Sequence, residues 1–343
     1  MENKKTVLVI GAGPAGISAA KSLANDNISV TVLEKEDTFG GNINNWAKLF
    51  PNFKDAGEVK SSLIQNFVNN QNIKIVYNKK VTELKKHNQK WIANTSDGEV
   101  FESDAAILST GFKVFDAQYK EELGYGIYPN VITSVEFEKM YKNGKILTVQ
   151  GSVPKKIAFL NCVGSRDEKV GNHYCSRICC IAAVKQAIEF KELYPQSEAF
   201  IFYMDIRMAG QFYEELYRKS QEKHGVVYIR GRISETSSTI DKKVQIKAED
   251  TLAATPLRMT VDMLVLMIGV EASKSTTILS KQNNIDGPYG FAKSKDIHTA
   301  DNYSNENGLF LAGSCKRPLT LTETIADGKS AAISVVEYLK QTK

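Results

Sequence analysis

Short apolar runs, glycine turns and longer amphipathic stretches alternate along the chain. Residues 7–10, 30–33 and 105–108 are runs with almost no polar interruption, the pattern of parallel strands buried on both faces. Between the first two, Ile17, Ala20 and Leu23 recur at helical spacing. Residues 74–77 and 80–84 predict further strands. Residues 90–94 and 99–102 predict a hairpin around Thr95-Ser96-Asp97-Gly98, which carries the Asp-Gly turn signal. A second strand-helix-strand set starts near Lys155, with a strand at 157–160, a helix over 176–193 and a strand at 199–203. Strands at 226–229, 244–247 and 262–268 follow it. Residues 308–313 predict a last strand ending in glycine, and a helix from about 322 to 339 begins at a Thr320–Glu323 capping box.

This alternation predicts an α/β chain with mostly parallel sheets, in which the second unit repeats the strand-helix-strand plan of the first. A length of 343 residues, 42% hydrophobic and 24% charged, is ordinary globular material and excludes a disordered or disulfide-stapled chain. The net charge of +5 is mild and its basic residues are interspersed with acidic ones, which argues against a nucleic-acid partner. The longest near-continuous apolar run, 261–270, is interrupted by Asp262 and too short for a transmembrane segment. The polar residues 1–6 lead straight into a strand, so no signal peptide is expected.

Gly11-Ala12-Gly13-Pro14-Ala15-Gly16 follows the first strand and opens the first helix, and Glu34 ends the next strand. In that context Gly11 makes the tight turn, Gly13 lets the backbone approach a pyrophosphate, and Gly16 lets the helix close on the sheet. The helix N-terminus offers free N–H groups and a positive dipole end to the phosphates. Glu34 is placed to accept from ribose hydroxyls. Gly40-Gly41, soon after Glu34, and the late glycine-ended strand with its capped helix favour FAD over NAD. The larger cofactor needs close backbone beyond the ribose, and the last helix would aim its dipole at the pyrimidine end of an isoalloxazine ring.

These patterns resemble the two-dinucleotide-fold flavoproteins of the thioredoxin-reductase type. The resemblance implies two dinucleotide-binding (Rossmann-like) domains, the first split in sequence as residues 1–145 and 273–343 and binding FAD, with residues 146–272 as an inserted second Rossmann-like domain that carries the clustered cysteines. To the glycines and Glu34 it adds Pro14, Ala15, Lys35, Asn42, Trp46, Val81, Thr110, Gly111, Gly313, Ser314 and Thr322 as expected cofactor contacts. Two departures stand out. The first strand of the second fold runs into Asn161-Cys162-Val163-Gly164-Ser165-Arg166, without a glycine fingerprint, and no Cys-x-x-Cys dithiol is present.

Four of the five cysteines, Cys162, Cys175, Cys179 and Cys180, fall within nineteen residues. In a cytoplasmic chain such clustering points to metal or redox chemistry rather than disulfides. Cys175 and Cys179 are expected on one face of the helix over 176–193, with Cys162 returned to them by a polar loop. Four converging thiolates suit a 4Fe-4S cluster. Structural zinc is the rival, although a vicinal pair matches its short-spaced ligand pairs poorly, and four inert packed thiols are the plain alternative. Arg166, Lys169 and Arg177 nearby would stabilise a net-negative thiolate cluster.

The stretch Asn161-Cys162-Val163-Gly164-Ser165-Arg166-Asp167, taken with Tyr174-Cys175-Ser176-Arg177-Ile178-Cys179-Cys180, is similar to the cluster segment of the heterodisulfide reductase A-type subunits. The likeness continues at Gly41-Asn42 to Trp46, Leu49-Phe50-Pro51, Leu123-Gly124-Tyr125-Gly126 and Met204-Asp205-Ile206-Arg207. It implies FAD plus one 4Fe-4S cluster on the four cysteines, and Lys185 beside the flavin as a catalytic cation, with an ordinary exposed helix lysine as the alternative. The compact layout looks like the short A-type subunit of sulfur-oxidising heterodisulfide-reductase-like complexes. B- and C-type subunits or similar electron carriers are then the expected partners of a homodimer in the cytoplasm. The A-type subunit of quinone-interacting oxidoreductases and a stand-alone NAD(P)H-dependent disulfide reductase are the alternatives. Cys315 is expected to be a packed thiol beside the flavin-side last strand, with an active thiol as the alternative.

Overall fold

The computed structural model describes residues 4–25 and 27–342. Strand β1 (Lys5–Ile10) runs into helix α1 (Pro14–Leu23), followed by β2 (Ile28–Leu33), β3 (Ile73–Val76) and β4 (Ala105–Leu108). The middle of the chain supplies β5 (Val131–Thr133), α2 (Ser134–Lys142), β6 (Lys156–Val163), α3 (Cys179–Leu193), β7 (Glu198–Tyr203), β8 (Val227–Arg230) and β9 (Met263–Ile268). Strand β10 (Leu309–Leu311) and helix α4 (Leu321–Gln341) come last. Two compact units result: Met1–Asn44 with Gly57–Lys113 and Glu271–Lys343, and Asn45–Ala56 with Val114–Val270.

In the first unit the strands lie in the order β10-β4-β1-β2-β3, every neighbouring pair parallel. Alternation along β1 explains its two faces. Val7 and Val9 pack with Ile17, Ala20, Ala331 and Val335 of α1 and α4, whereas Leu8 and Ile10 pack with Leu84 and Trp91 of an antiparallel three-stranded sheet. Helices α1 and α4 cross at close range, so that a Cβ on Gly328 would come within 2.3 Å of the Ala15 carbonyl oxygen.

The second unit repeats the plan with the order β5-β9-β6-β7-β8, again parallel throughout. Ile157 and Phe159 pack with Val184 and Ile188 of α3, while Ala158 and Leu160 pack with Val244 and Ile246 of a second antiparallel three-stranded sheet. No helix among the described residues is long and apolar enough to cross a membrane.

Two boundaries and one helix differ from the sequence expectation. The chain passes to the second unit after Lys113 rather than near residue 145, because β5 pairs with β9 in the second sheet. Helix α2, which apolar periodicity did not predict, starts at a capping box in which Thr133 and Glu136 each bond the other's backbone N–H. Helix α3 begins at Cys179 rather than Ser176, because Arg177 sits at φ +62° and cannot continue a right-handed turn.

Candidate functional site

At the end of β1, Gly11 takes φ +109° and an added Cβ would lie 2.6 Å from the Ser109 carbonyl oxygen. A Cβ on Gly16 would meet the Gly11 carbonyl oxygen at 1.9 Å. Both positions therefore require glycine for the turn and for the helix to seat on the sheet. Gly13 is different: its Cβ would meet nothing within 4 Å. Helix α1 has no side-chain cap there, and Pro14 stands at its start. No side chain therefore caps its first-turn N–H groups, which leaves them available to an anion.

The Glu34 side chain is buried against this loop, one carboxylate oxygen accepting from the Ala12 N–H at 2.7 Å and the other from Glu36 N–H at 3.0 Å. The Gly40-Gly41 turn folds back onto it, with Gly40 N–H donating to the Ala12 carbonyl and an added Cβ on Gly41 lying 3.3 Å from Gly13 Cα. Gly313, at φ +75°, packs so near Ala15 that a Cβ would approach its Cβ to 2.6 Å. Thus the structure brings together Gly11–Gly16, Glu34, Gly40, Gly41 and Gly313. Residues present here, an uncapped helix start beside a buried carboxylate, fit an adenosine diphosphate moiety.

The other expected contacts are more scattered. Asn42 donates to the Phe112 carbonyl at 3.3 Å, and Thr110, next to Gly111 at φ +62°, shares a 2.6 Å hydroxyl bond with Thr276. Lys35 is exposed and ion-paired to Glu36. Val81 packs with Leu84 and Trp91 in the antiparallel sheet's core, and Trp46 falls in the second unit. Ser314 is buried, and Thr322 lies in the first turn of α4, whose Thr320–Glu323 capping box is formed as expected. Two contributors escaped the sequence reading. The Asp327 carboxylate accepts from Gly313 N–H at 2.5 Å and from the buried Lys316, and Gly328 permits the α1–α4 crossing. The signal was present as an Asp-Gly pair inside an otherwise helical run. Cys315 is fully buried and donates to the Leu108 carbonyl, and burial pushes its thiol up to about 12.

In the second unit the cysteine segment is built from irregular backbone. The pairing of β6 with β9 shifts between Leu160 and Val163, and Cys162, Arg166 and Arg177 all take left-handed φ. Bonds from Arg166 N–H to the Tyr174 carbonyl and between Asp167 and Asn172 close the intervening loop, returning Cys175 towards the end of β6. Cys175 therefore lies in a loop before α3, not on a helical face with Cys179. Cys179 and Cys180 are the first residues of α3 and are buried, as is Cys162; Cys175 is partly exposed. A hydrogen bond from Cys179 and the positive charges of Arg166 and Arg232 bring the Cys162 thiol down to about 7. The same bond and complete burial push Cys179 well up, and burial raises Cys180 to about 11. Three buried polar atoms here lack partners: Asn161 Oδ1, Ser165 Oγ and Arg166 Nη1. Among the described residues no three His, Cys, Asp or Glu side chains are gathered to hold one metal ion. A cubane differs from zinc in that each thiolate binds a different iron, and its sulfurs accept hydrogen bonds. Ser165 Oγ and Arg166 Nη1, unpartnered donors in the same segment as Cys162, are of the kind that cluster sulfurs accept from.

Lys185, expected beside the flavin, is buried in the second unit and is not the exposed helix lysine of the alternative reading. Its ammonium is buried between α2 and α3, 2.5 Å from Glu138 Oε1 and 3.1 and 3.0 Å from the two oxygens of Glu189. All three of its hydrogens thus face carboxyl oxygens of the second unit.

Comparison with known proteins fits this geometry. Residues 5–156 match the family described as pyridine nucleotide-disulphide oxidoreductase. The chain is 42% identical over 245 residues, 68% of its length and 37% of the relative's, to the A-type subunit of the H(2)/formate:CoB-CoM heterodisulfide,ferredoxin reductase of Methanococcus maripaludis. It is 30% identical, over its full length and 65% of the relative's, to an iron-sulfur A-type subunit of the CoB–CoM heterodisulfide reductase of Methanopyrus kandleri. The chain thus spans from about a third to two thirds of the length of such relatives. Among solved structures, the thioredoxin reductases of Lactococcus lactis and T. acidophilum each align with a TM-score of 0.69, at 17% and 19% identity. They cover 98% and 99% of this chain and 100% of their own, a likeness of fold.

Proposed function

Because this chain belongs to the family of heterodisulfide reductase A-type subunits and is an FAD-dependent oxidoreductase, we propose that it is the flavin- and iron-sulfur-containing electron-transfer subunit of a heterodisulfide-reductase-like complex. In this reading it passes electrons between FAD and a 4Fe-4S cluster in cytoplasmic sulfur metabolism, as a homodimer with B- and C-type subunits or similar carriers. When bound, FAD supplies two-electron chemistry and the cluster one-electron chemistry.

The residues divide into two sets. The open start of α1 at Gly13 holds the pyrophosphate, and Glu34 accepts from the adenosine ribose. The Gly40-Gly41 turn keeps backbone close to the cofactor, with Asn42, Thr110, Gly111, Ser314 and Thr322 further along it. Cys162, Cys175, Cys179 and Cys180 hold the cluster irons. Arg166, whose Nη1 is buried without a partner, offsets thiolate charge and donates to sulfur.

The observation that supports the reading is the burial of Cys162, Cys179 and Cys180 in one segment with the unpartnered buried donor Arg166 Nη1. The test is the iron, acid-labile sulfide and flavin content of protein purified without oxygen. Four irons, four sulfides and one FAD per chain are expected. A colourless protein, or one carrying zinc on the four thiols, refutes the reading.

A further inference from the structure

Beyond the cysteines, the carboxyl ends of three adjacent parallel strands, β6, β7 and β8, carry a concentration of arginine that the proposed function leaves largely without a role. Arg166 follows β6, Arg207 follows β7, and Arg230 and Arg232 end and follow β8. They surround a single carboxylate. Arg166 Nη2 lies 2.7 Å from Asp205 Oδ2, and Arg207 and Arg230 each stand 4.0 Å from the same group. Arg232 joins the set by donating to the Arg166 carbonyl at 2.9 Å and to Met204 Sδ. One carboxylate among four guanidiniums leaves the group strongly positive.

This is an outward-facing surface. The Arg207 and Arg230 side chains are 50% and 46% exposed, Arg232 is exposed, and Met204 and Ile206 are half-buried. Arginine and methionine are enriched in protein interfaces, and a small charged patch of this kind suits a brief, weak encounter. The charge also reaches the thiols, because Arg166 interacts with both Cys162 and the partly exposed Cys175. Guanidiniums spread over three strand ends and half in water match a broad field of carboxylates better than one small anion in a closed cradle.

We infer that this arginine face, built on Arg166, Arg207, Arg230 and Arg232 around Met204, docks an acidic electron-carrier protein over the cysteine segment. The inference deepens the proposed function and rests on it for the word electron; the docking itself is measured independently of any cluster. Electrostatic steering of this kind raises the association rate and fades with salt.

The probe is an oxidised, strongly acidic plant-type ferredoxin, with basic cytochrome c as the opposite-charge control. Binding to the holoprotein is read by biolayer interferometry at low salt and at a concentration about tenfold higher. Ferredoxin should bind at low salt and weaken by about tenfold or more at high salt, and cytochrome c should not bind. The triple variant Arg207→Gln/Arg230→Gln/Arg232→Gln should lose about tenfold in affinity at low salt and show a flatter salt dependence. Three exposed lysines away from these strand ends, changed as Lys139→Gln/Lys145→Gln/Lys223→Gln, should leave binding as it was. Unchanged affinity in the arginine variant, equal loss in the lysine variant, or binding of cytochrome c would each overturn the inference. So would inorganic pyrophosphate binding the holoprotein tightly and displacing ferredoxin, which marks a small-anion site instead. Because neither partner exchanges an electron here, ferredoxin binding by a protein that lacks iron and sulfide sinks the functional reading and leaves the docking surface standing.

Discussion

Lys185 Nζ lies 2.5 Å from Glu138 Oε1, an ion pair inside the second unit that joins helix α3 to helix α2, and both side chains are 5% exposed or less. Glu189, one turn further along α3, makes the second pair at 3.0 Å and is completely buried. Two carboxylates thus share one ammonium in the core, with Gln186 and the Ala47 N–H donating to Glu138. Removing the cation leaves the buried Glu138 without its counter-charge. Lys185→Met should cost about 3–5 kcal/mol, read from urea denaturation of the second unit. A loss under about 1 kcal/mol, the range of a solvated pair, would show that water reaches the cluster.

The same imbalance sets a pH dependence. Burial, with Glu138 adding repulsion and Lys185 opposing both, pushes the Glu189 carboxyl from 4.5 up to about 8. Lys48 also bears on it electrostatically. Between these two values the folded chain holds a proton that the unfolded chain has released, so stability is fully present below pH 4.5 and is lost as pH rises through about 8. The slope for one proton is at most about 1.4 kcal/mol per pH unit. Glu189→Gln, which imitates the protonated acid, should flatten this part of the curve and be relatively more stable at about pH 9 than at about pH 6. Chemical denaturation across that range measures it, and parallel curves for the two proteins would remove Glu189 from the account.

The glycine loop separates binding from folding. Gly13 sits at φ −77° with no neighbour within 4 Å of an added Cβ, so Gly13→Leu should fold at a capping cost of about 1 kcal/mol. The new side chain would occupy the space over the α1 N-terminus, and the purified protein should lack bound FAD. Gly16→Ala, whose Cβ would strike backbone at 1.9 Å, should instead destabilise the first unit outright. A yellow Gly13→Leu protein would move the phosphate site elsewhere. Circular dichroism and flavin absorbance on the same samples distinguish the two effects.

Much of this site was legible because its chemistry is local. Gly11–Gly16 and Glu34 lie on consecutive elements whose geometry follows from short-range sterics, and the Thr320–Glu323 box spans a single turn. The parallel strands were legible from their apolar runs, since a strand covered on both faces has no polar positions. What escaped depends on distance or on backbone of unusual hand. Lys185 finds Glu138 47 residues earlier, on a different helix, so its burial had no local signal. Arg177 ends the expected start of α3 by taking φ +62°, which residue type alone does not announce. The arginine face exists only because three parallel strands end side by side, and the Asp327 bond to Gly313 needs α4 folded onto β10.

The cysteine segment gives the sharpest test of how the second unit departs from a nucleotide-binding twin. Cys179 opens α3 and is 3% exposed, within hydrogen-bond reach of Cys162, so its thiol has no route to solvent chemistry of its own. If it ligates iron, Cys179→Ser should abolish the broad visible absorption and most of the iron and sulfide. FAD should remain near one per chain, because every glycine of the pyrophosphate loop belongs to the first unit. Serine is close in size to cysteine, so the fold should survive, with flavin retention as the internal control. Iron, sulfide and flavin are measured on one oxygen-free preparation. Undiminished iron and sulfide would exclude Cys179 from the ligand set. Simultaneous loss of flavin would show instead that the substitution had unfolded the chain, and the partly exposed Cys175, changed to Ser in its loop, would then carry the same test with less disturbance of the core.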